Sequence, residues 1–203
     1  MKDELLTYVN ETFPGLKHPV CIRFELGASL KNGSDERLKQ VYDRAARIFE
    51  SLFEQGQRIF LLIKDWETAD PLDEEESTGY IYRLLRNQPF ESERIEEEDP
   101  GKNTGLAKNT YWQSILATRV ERLAWKKMLE GIANFEQGRE PGIGQNVYMI
   151  DKERDIIFYM FDDRGCVVYA NHADKIRYLY DLYRDWTVNY WRSELAQTFP
   201  DKG

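Results

Sequence analysis

Three short hydrophobic runs near the C-terminus, Asn146 to Ile150, Ile156 to Phe161 and Cys166 to Ala170, constrain this chain's fold most strongly. Asp151-Lys152-Glu153-Arg154-Asp155 separates the first two, and Asp162-Asp163-Arg164-Gly165 separates the second from the third. Connections this short reverse the chain, because a parallel neighbour needs a crossover of roughly a dozen residues or more. The runs therefore predict an antiparallel meander, around which the rest of the chain must be built.

Upstream, Leu5, Leu6, Val9 and Phe13 predict a helix over 2–13, closed by Pro14-Gly15. Residues 20–26 alternate, with Val20, Ile22, Phe24 and Leu26 apolar against Arg23 and Glu25, and so predict a strand ending at Gly27. Ser34 with Asp35 and Glu36 starts a helix over 35–55, in which Leu38, Val41, Ala45, Ile48, Phe49 and Leu52 share one face. The unbroken run Ile59 to Ile63 predicts a strand covered on both faces. Strand, helix and strand in that order suggest a right-handed parallel crossover.

Residues 65–110 form a long, partly mobile excursion with a weak helix around Tyr80 to Arg86. A strand over Tyr111 to Val120, a helix over Leu123 to Asn134 and a glycine-rich loop lead into the meander. After it, Ile176, Leu179, Tyr180, Tyr183, Thr187 and Tyr190 trace one face of a long helix over 173–196, capped by Asn171. The expected fold is α+β: a mixed, mainly antiparallel sheet of about six strands, with helices packed mainly on one face and a C-terminal meander followed by a long helix. At 203 residues the chain is read as one domain carrying an acidic excursion at 65–110.

Charge narrows the partners. Between Asp65 and Asp99 there are 13 acids and three arginines, a balance of −10 within a chain of net charge −8, so the remainder is about +2. Without a basic patch the chain lacks the counterion-releasing surface of a nucleic-acid binder. It also has no apolar run of about 18 residues, so no membrane partner is expected. Two cysteines, Cys21 and Cys166, both in strand-like runs, fit reduced thiols in the cytoplasm.

Few residues suggest chemistry. Asp162 and Asp163 offer paired carboxylates and Arg164 an anion anchor, the basis for an unfamiliar hydrolase or metal-dependent enzyme that would also use His172. The same string is expected to build a three- to four-residue hairpin with a bulge and a positive φ at Gly165. His18, Cys21, Cys166 and His172 are ligand types for zinc, but no knuckle surrounds them. The glycines at 138, 142 and 144 lack the Gly-Lys-Ser/Thr ending of a phosphate loop. No cofactor and no catalytic residue is assigned. The acidic excursion, with Trp66 at its edge and Asp73, Glu74, Glu75 and Glu76 within it, is instead the candidate surface for a basic protein partner.

Residues 156–168, with their hairpin Asp162-Asp163-Arg164-Gly165, and the helix Leu179 to Trp186 resemble a bacterial family, domain of unknown function 3885. Ile22-Arg23-Phe24-Glu25-Leu26-Gly27 is similar to the start of such proteins. The resemblance marks Asp162, Asp163, Arg164, Gly165, Tyr180, Tyr183 and Trp186, and it implies no biochemical activity. Tyr190-Trp191-Arg192 departs from the acidic pattern of relatives at that helix end. The expected function is therefore a non-catalytic protein-binding domain, conceivably an immunity-type protein that neutralises a basic toxin.

Overall fold

The structure, a computed structural model, describes residues 2–66, 79–98 and 108–200. Its helices are α1 (Lys2–Thr12), α2 (Asp35–Leu52), α3 (Tyr80–Leu85), α4 (Trp125–Phe135), α5 (Arg177–Tyr183) and α6 (Arg192–Thr198). Its strands are β1 (Cys21–Glu25), β2 (Arg58–Trp66), β3 (Glu91–Glu98), β4 (Lys108–Arg119), β5 (Asn146–Asp151), β6 (Ile156–Asp162) and β7 (Gly165–Ala170). They form one seven-stranded sheet in the order β1-β7-β6-β5-β2-β4-β3.

The meander is present as β5, β6 and β7, and the fold is the α+β class that the periodicity predicts. Every pairing is antiparallel. β1 and β2 do run in the same direction, yet the three meander strands lie between them, so the parallel neighbours suggested by the strand-helix-strand order do not form.

Helices cover the two faces unequally. On one face, α2 buries Leu38, Val41, Ala45, Ile48, Phe49 and Leu52, the six positions its spacing singles out. Phe49 stacks on Trp125 of α4 at 4.3 Å and meets Phe158 of β6 edge-on at 6.1 Å, joining two helices to the sheet. On the other face α1 brings Leu5, Val9 and Phe13 onto Phe60, Leu62, Ile115, Ile150 and Ile157. Two covered faces explain the unbroken apolar run in β2: Ile59, Leu61 and Ile63 enter the larger core, while Phe60 and Leu62 lie under α1. Each such side chain contributes about 1.5–3 kcal/mol of burial.

Helix α2 is held at both ends by the hairpin tips of β6. Ser34 caps its start, its hydroxyl accepting from the Arg37 amide at 3.2 Å. The Arg37 guanidinium then donates to Asp163 in the β6–β7 turn at 2.7 Å. At the far end, Arg154 of the β5–β6 turn donates to the Leu52 carbonyl, one of the helix's unsatisfied acceptors, and to Asp151. Asp151 is wholly buried and also accepts from Gln57 at 2.6 Å and from the Glu153 and Arg154 amides at 3.0 and 3.1 Å.

Two regions depart from the sequence reading. Within the excursion, the helix expected at 80–86 is α3, but residues 91–98 form β3 and pair with an extended β4. With Ile95 its single large apolar residue, β3 carries no hydrophobic alternation to announce it. Of the excursion expected at 65–110 to be partly mobile, residues 67–78 and 99–107 lie outside the described residues. The long helix after the meander is divided: α5 gives way to single 3₁₀ turns at Arg184–Trp186 and Asn189–Trp191 before α6 begins. Between those turns Thr187 bridges Phe24 and the Val188 amide donates to the Arg23 carbonyl at 3.4 Å, so the chain leaves the helix to cover the edge of β1. Asn171 does not cap a helix; it donates to Asp155 at 3.0 Å.

Asp155 ties three elements together, accepting from Tyr8 of α1 at 2.8 Å and from Lys175 at 2.6 Å as well as from Asn171. Burial pushes its carboxyl up, but the bonds from Lys175, Tyr8 and Asn171 outweigh this and hold it below its ordinary value. A depressed folded pKa means that this stabilisation is complete above the unfolded value of about 3.9 and is lost as pH falls through the lower folded one. Asp155→Asn, which tolerates the backbone φ of 52°, is expected to cost about 1–3 kcal/mol at neutral pH. In urea unfolding the deficit should shrink below about pH 4; an equal deficit at pH 7 and pH 3 would contradict this account.

Candidate functional site

The Asp162–Gly165 hairpin is tighter than its sequence suggests. Asp162 pairs directly with Gly165, leaving Asp163 and Arg164 as a two-residue connection, with a register shift between Met160 and Asp162. Gly165 does not adopt a positive φ, contrary to expectation. Glycine is needed there for a close approach: a Cβ would stand 2.5 Å from the carbonyl oxygen of Phe24.

The two carboxylates serve different partners. Asp162 accepts from the backbone amide and the Nε of its own hairpin's Arg164, both at 2.7 Å. Asp163 turns to Arg37, whose second nitrogen caps the carbonyls of Gly27 and Leu30. Both aspartates are only 2% exposed, so neither presents an oxygen to solvent or substrate.

His172 is not part of this cluster. It follows the opposite end of β7, beyond Ala170, a strand's length from the hairpin. The other metal-ligand types are equally dispersed. Cys21 pairs with Tyr169 and Cys166 with Phe24, positions on opposite faces of the sheet, and burial raises both thiols above their ordinary range. The His18 Nδ1 accepts from the Val20 amide at 3.1 Å while its ring meets Phe13 edge-on.

The aromatic motif that follows is packing. Tyr180 stacks on Phe199 at 5.1 Å. Tyr183 stacks on Trp186 at 4.5 Å, meets Phe24 edge-on and shares a 2.8 Å hydrogen bond with Ser51 of α2. Arg44 of α2 lies over the Trp186 ring at 5.1 Å and donates to the Glu25 carbonyl at 2.8 Å. These residues lock the C-terminal segment across α2 and β1.

The acidic side is arranged differently. Trp66, at the end of β2, is 40% exposed and leans on Tyr111 at 4.6 Å; Tyr111 is in turn paired with Ile95 of β3. Trp112, 45% exposed, emerges from the opposite face of the same end of the sheet. β3 is a terminal strand, and among the described residues no strand pairs with its outer edge. Glu93 is held by Lys2 at 2.7 Å, Arg94 reaches Glu96 at 3.0 Å, and Glu91 is exposed. Below Trp66, burial raises the Asp65 carboxyl, which accepts from Tyr82 at 3.1 Å and Gln145 at 3.2 Å; burial and the Asp65 charge push Tyr82 up to about 12. Asp73, Glu74, Glu75 and Glu76 lie outside the described residues. Sequence reasoning passed over β3 as a strand and Trp112 as an exposed side chain, because residues 91–98 lack the alternation that marks a strand and exposure is set by the fold.

These features define an antiparallel α+β protein whose Asp-Asp-Arg-Gly string is a folding device and whose acidic terminal strand, unpaired on its outer side among the described residues, lies next to a strand that exposes Trp112. The chain belongs to the family described as Domain of unknown function (DUF3885), which it matches over residues 5–191. It is 27% identical over 219 residues to "Uncharacterized protein YnaE" of Bacillus subtilis (strain 168), covering 92% of this chain and 98% of that protein. No solved structure matches it.

Removing the Asp163 side chain would leave Arg37 without its carboxylate. Asp163→Ala is expected to cost about 3–5 kcal/mol in urea unfolding, the usual price of one lost partner in a buried pair. Arg37→Met should cost a comparable amount, and the double variant far less than the sum; strict additivity would show that the pair does not join the hairpin to α2.

Proposed function

We propose that this protein is a non-catalytic binding protein that engages a basic protein partner through the acidic β3 edge and the tryptophans beside it. In its specific form it is an immunity-type protein that covers the active surface of a basic toxin. One observation carries the reading: Asp162, Asp163 and Arg164 are bound within the fold, whereas the terminal strand presents Glu91, Glu93 and Glu96, with exposed Trp112 on the adjoining β4 and exposed Trp66 one strand further in, on the opposite face.

Each feature has a matching role in recognition. Negative potential steers a basic partner and complements its surface on contact. Tryptophan is a residue type enriched in interface anchors. An open strand edge accepts an added strand, whose side chains alternate to the two faces from which Trp66 and Trp112 emerge. Glutamates along that edge oppose pairing between two copies of this chain while leaving a cationic strand acceptable. A cytoplasmic location suits the two free thiols, which sit on opposite faces of the sheet. No described helix is long and apolar enough to cross a membrane.

The hydrolase alternative built on Asp162, Asp163 and His172 gains no support, because the carboxylates are buried in separate ion pairs and the histidine lies at the far end of β7.

The tagged full chain, incubated with native lysate of its own host at physiological salt, is expected to retain a basic protein. Glu91→Lys/Glu96→Lys combined with Trp66→Ala should reduce retention about tenfold or more while the circular dichroism spectrum stays that of the parent. Failure to retain a basic protein, or equal retention by the variant, would sink the proposal.

A further inference from the structure

A second surface has the opposite charge and does not depend on the partner reading. β3 pairs with β4 only as far as Ile115, so Leu116 to Arg119 have β2 on one side and, among the described residues, no strand on the other. The link from α3 to β3 turns past this stretch and leaves a cleft of about 790 Å³ lined by Arg58, Arg119, Arg122, Phe90 and Glu91, among others. That volume lies within the roughly 300–1,000 Å³ of small-molecule sites.

Its charges are unusual for an acidic chain. Arg58 and Arg119 face each other directly on neighbouring strands, a like-charge placement that destabilises a sheet unless something offsets it. Arg58 lies over the Phe60 ring at 5.3 Å, and Arg119 donates to the Gly56 carbonyl at 3.0 Å. Among the described residues none of the three arginines forms an ion pair with a carboxylate. The nearby Glu121 carboxylate is held below its ordinary value first by its own amide and that of Gly56, and to a lesser degree by the charges of Arg119 and Arg122, without an ion-pair contact to either. The polar wall is held in shape by Gln88, which accepts from Thr118 and donates to the Arg122 carbonyl at 3.0 Å. Phe90, 39% exposed, supplies an apolar ring within the same cleft.

We propose that this cleft binds the phosphate of a small phosphorylated compound that carries a flat ring. One guanidinium satisfies a carboxylate in a bidentate pair, whereas three suit a dianion with three acceptor oxygens. Phe90, whose ring also meets Tyr82 at 5.9 Å, lines the same cleft, and a ring attached to that phosphate would stack on its exposed part, since aromatic side chains hold heterocycles in this way without regard to their edge groups.

The test is titration calorimetry of the full chain at low ionic strength with adenosine monophosphate, adenosine and inorganic phosphate. Adenosine monophosphate is expected to bind about tenfold more tightly than inorganic phosphate, and adenosine to show no binding. Arg122→Gln, which removes no described side-chain hydrogen bond or ion pair, should weaken the nucleotide about tenfold. Arg119→Gln should do the same, and Glu91→Gln should tighten binding about two- to threefold by removing the one acid in the lining. Absence of nucleotide binding in the millimolar range, equal affinity for inorganic phosphate, or unchanged affinity in Arg122→Gln with the fold intact would each overturn the proposal.

Discussion

The clamp between α2 and the two ends of β6 is the constraint on which the rest of the structure depends. An 18-residue helix is about 27 Å long, and a strand of seven residues spans about 23 Å. The helix therefore reaches from one hairpin tip of β6 to the other, where Asp163 takes Arg37 and Arg154 takes the Leu52 carbonyl. With both ends of α2 tied to the meander, Phe49 and its neighbours can pack only in one position along the strand. Asp155 extends the same device to α1 and to the segment after β7.

Both hairpins use one piece of chemistry. Each opens with a buried aspartate that accepts amides of its own turn and holds an arginine from the same turn, Asp151 with Arg154 and Asp162 with Arg164. The carboxylates are only 0–2% exposed, so their hydrogen bonds offset a desolvation cost that unpaired charges could not sustain. A motif that looks catalytic in a linear string is thus a means of ending strands and orienting a helix. The two surfaces proposed for recognition, the acidic edge at β3 and the arginine-lined cleft past its start, both lie outside the clamp.

Much of this was legible in the residues. Hairpin-length connections predicted the meander, a 3.6-residue apolar spacing predicted the buried face of α2, and an unbroken apolar run predicted that β2 is covered on both sides. β3 was illegible because Glu91-Ser92-Glu93-Arg94-Ile95-Glu96 has no apolar alternation; its pairing rests on the register with β4 and on single contacts such as Ser92 with Ser114 at 2.6 Å. The break in the C-terminal helix was hidden for a related reason. Thr187 and Val188 satisfy a helical pattern locally, but the unpaired edge of β1 competes for their backbone groups and wins. In the candidate site, the aspartates and the Tyr-x-x-Tyr-x-x-Trp element were visible as a pattern, while Arg37 and Arg44, which give them their roles, lie far away in the chain.

By itself the sequence determined what is local: the helices and strands that carry apolar periodicity, where the chain reverses, and how the charge is distributed, because periodicity and turn chemistry act over a few residues. Only the tertiary structure decided which strands are neighbours, which faces α1 and α2 cover, that Asp163 receives Arg37, and that Arg58 and Arg119 stand side by side. Those outcomes depend on groups dozens to more than a hundred positions apart, whose meeting is set by packing the whole sheet rather than by any one stretch of chain.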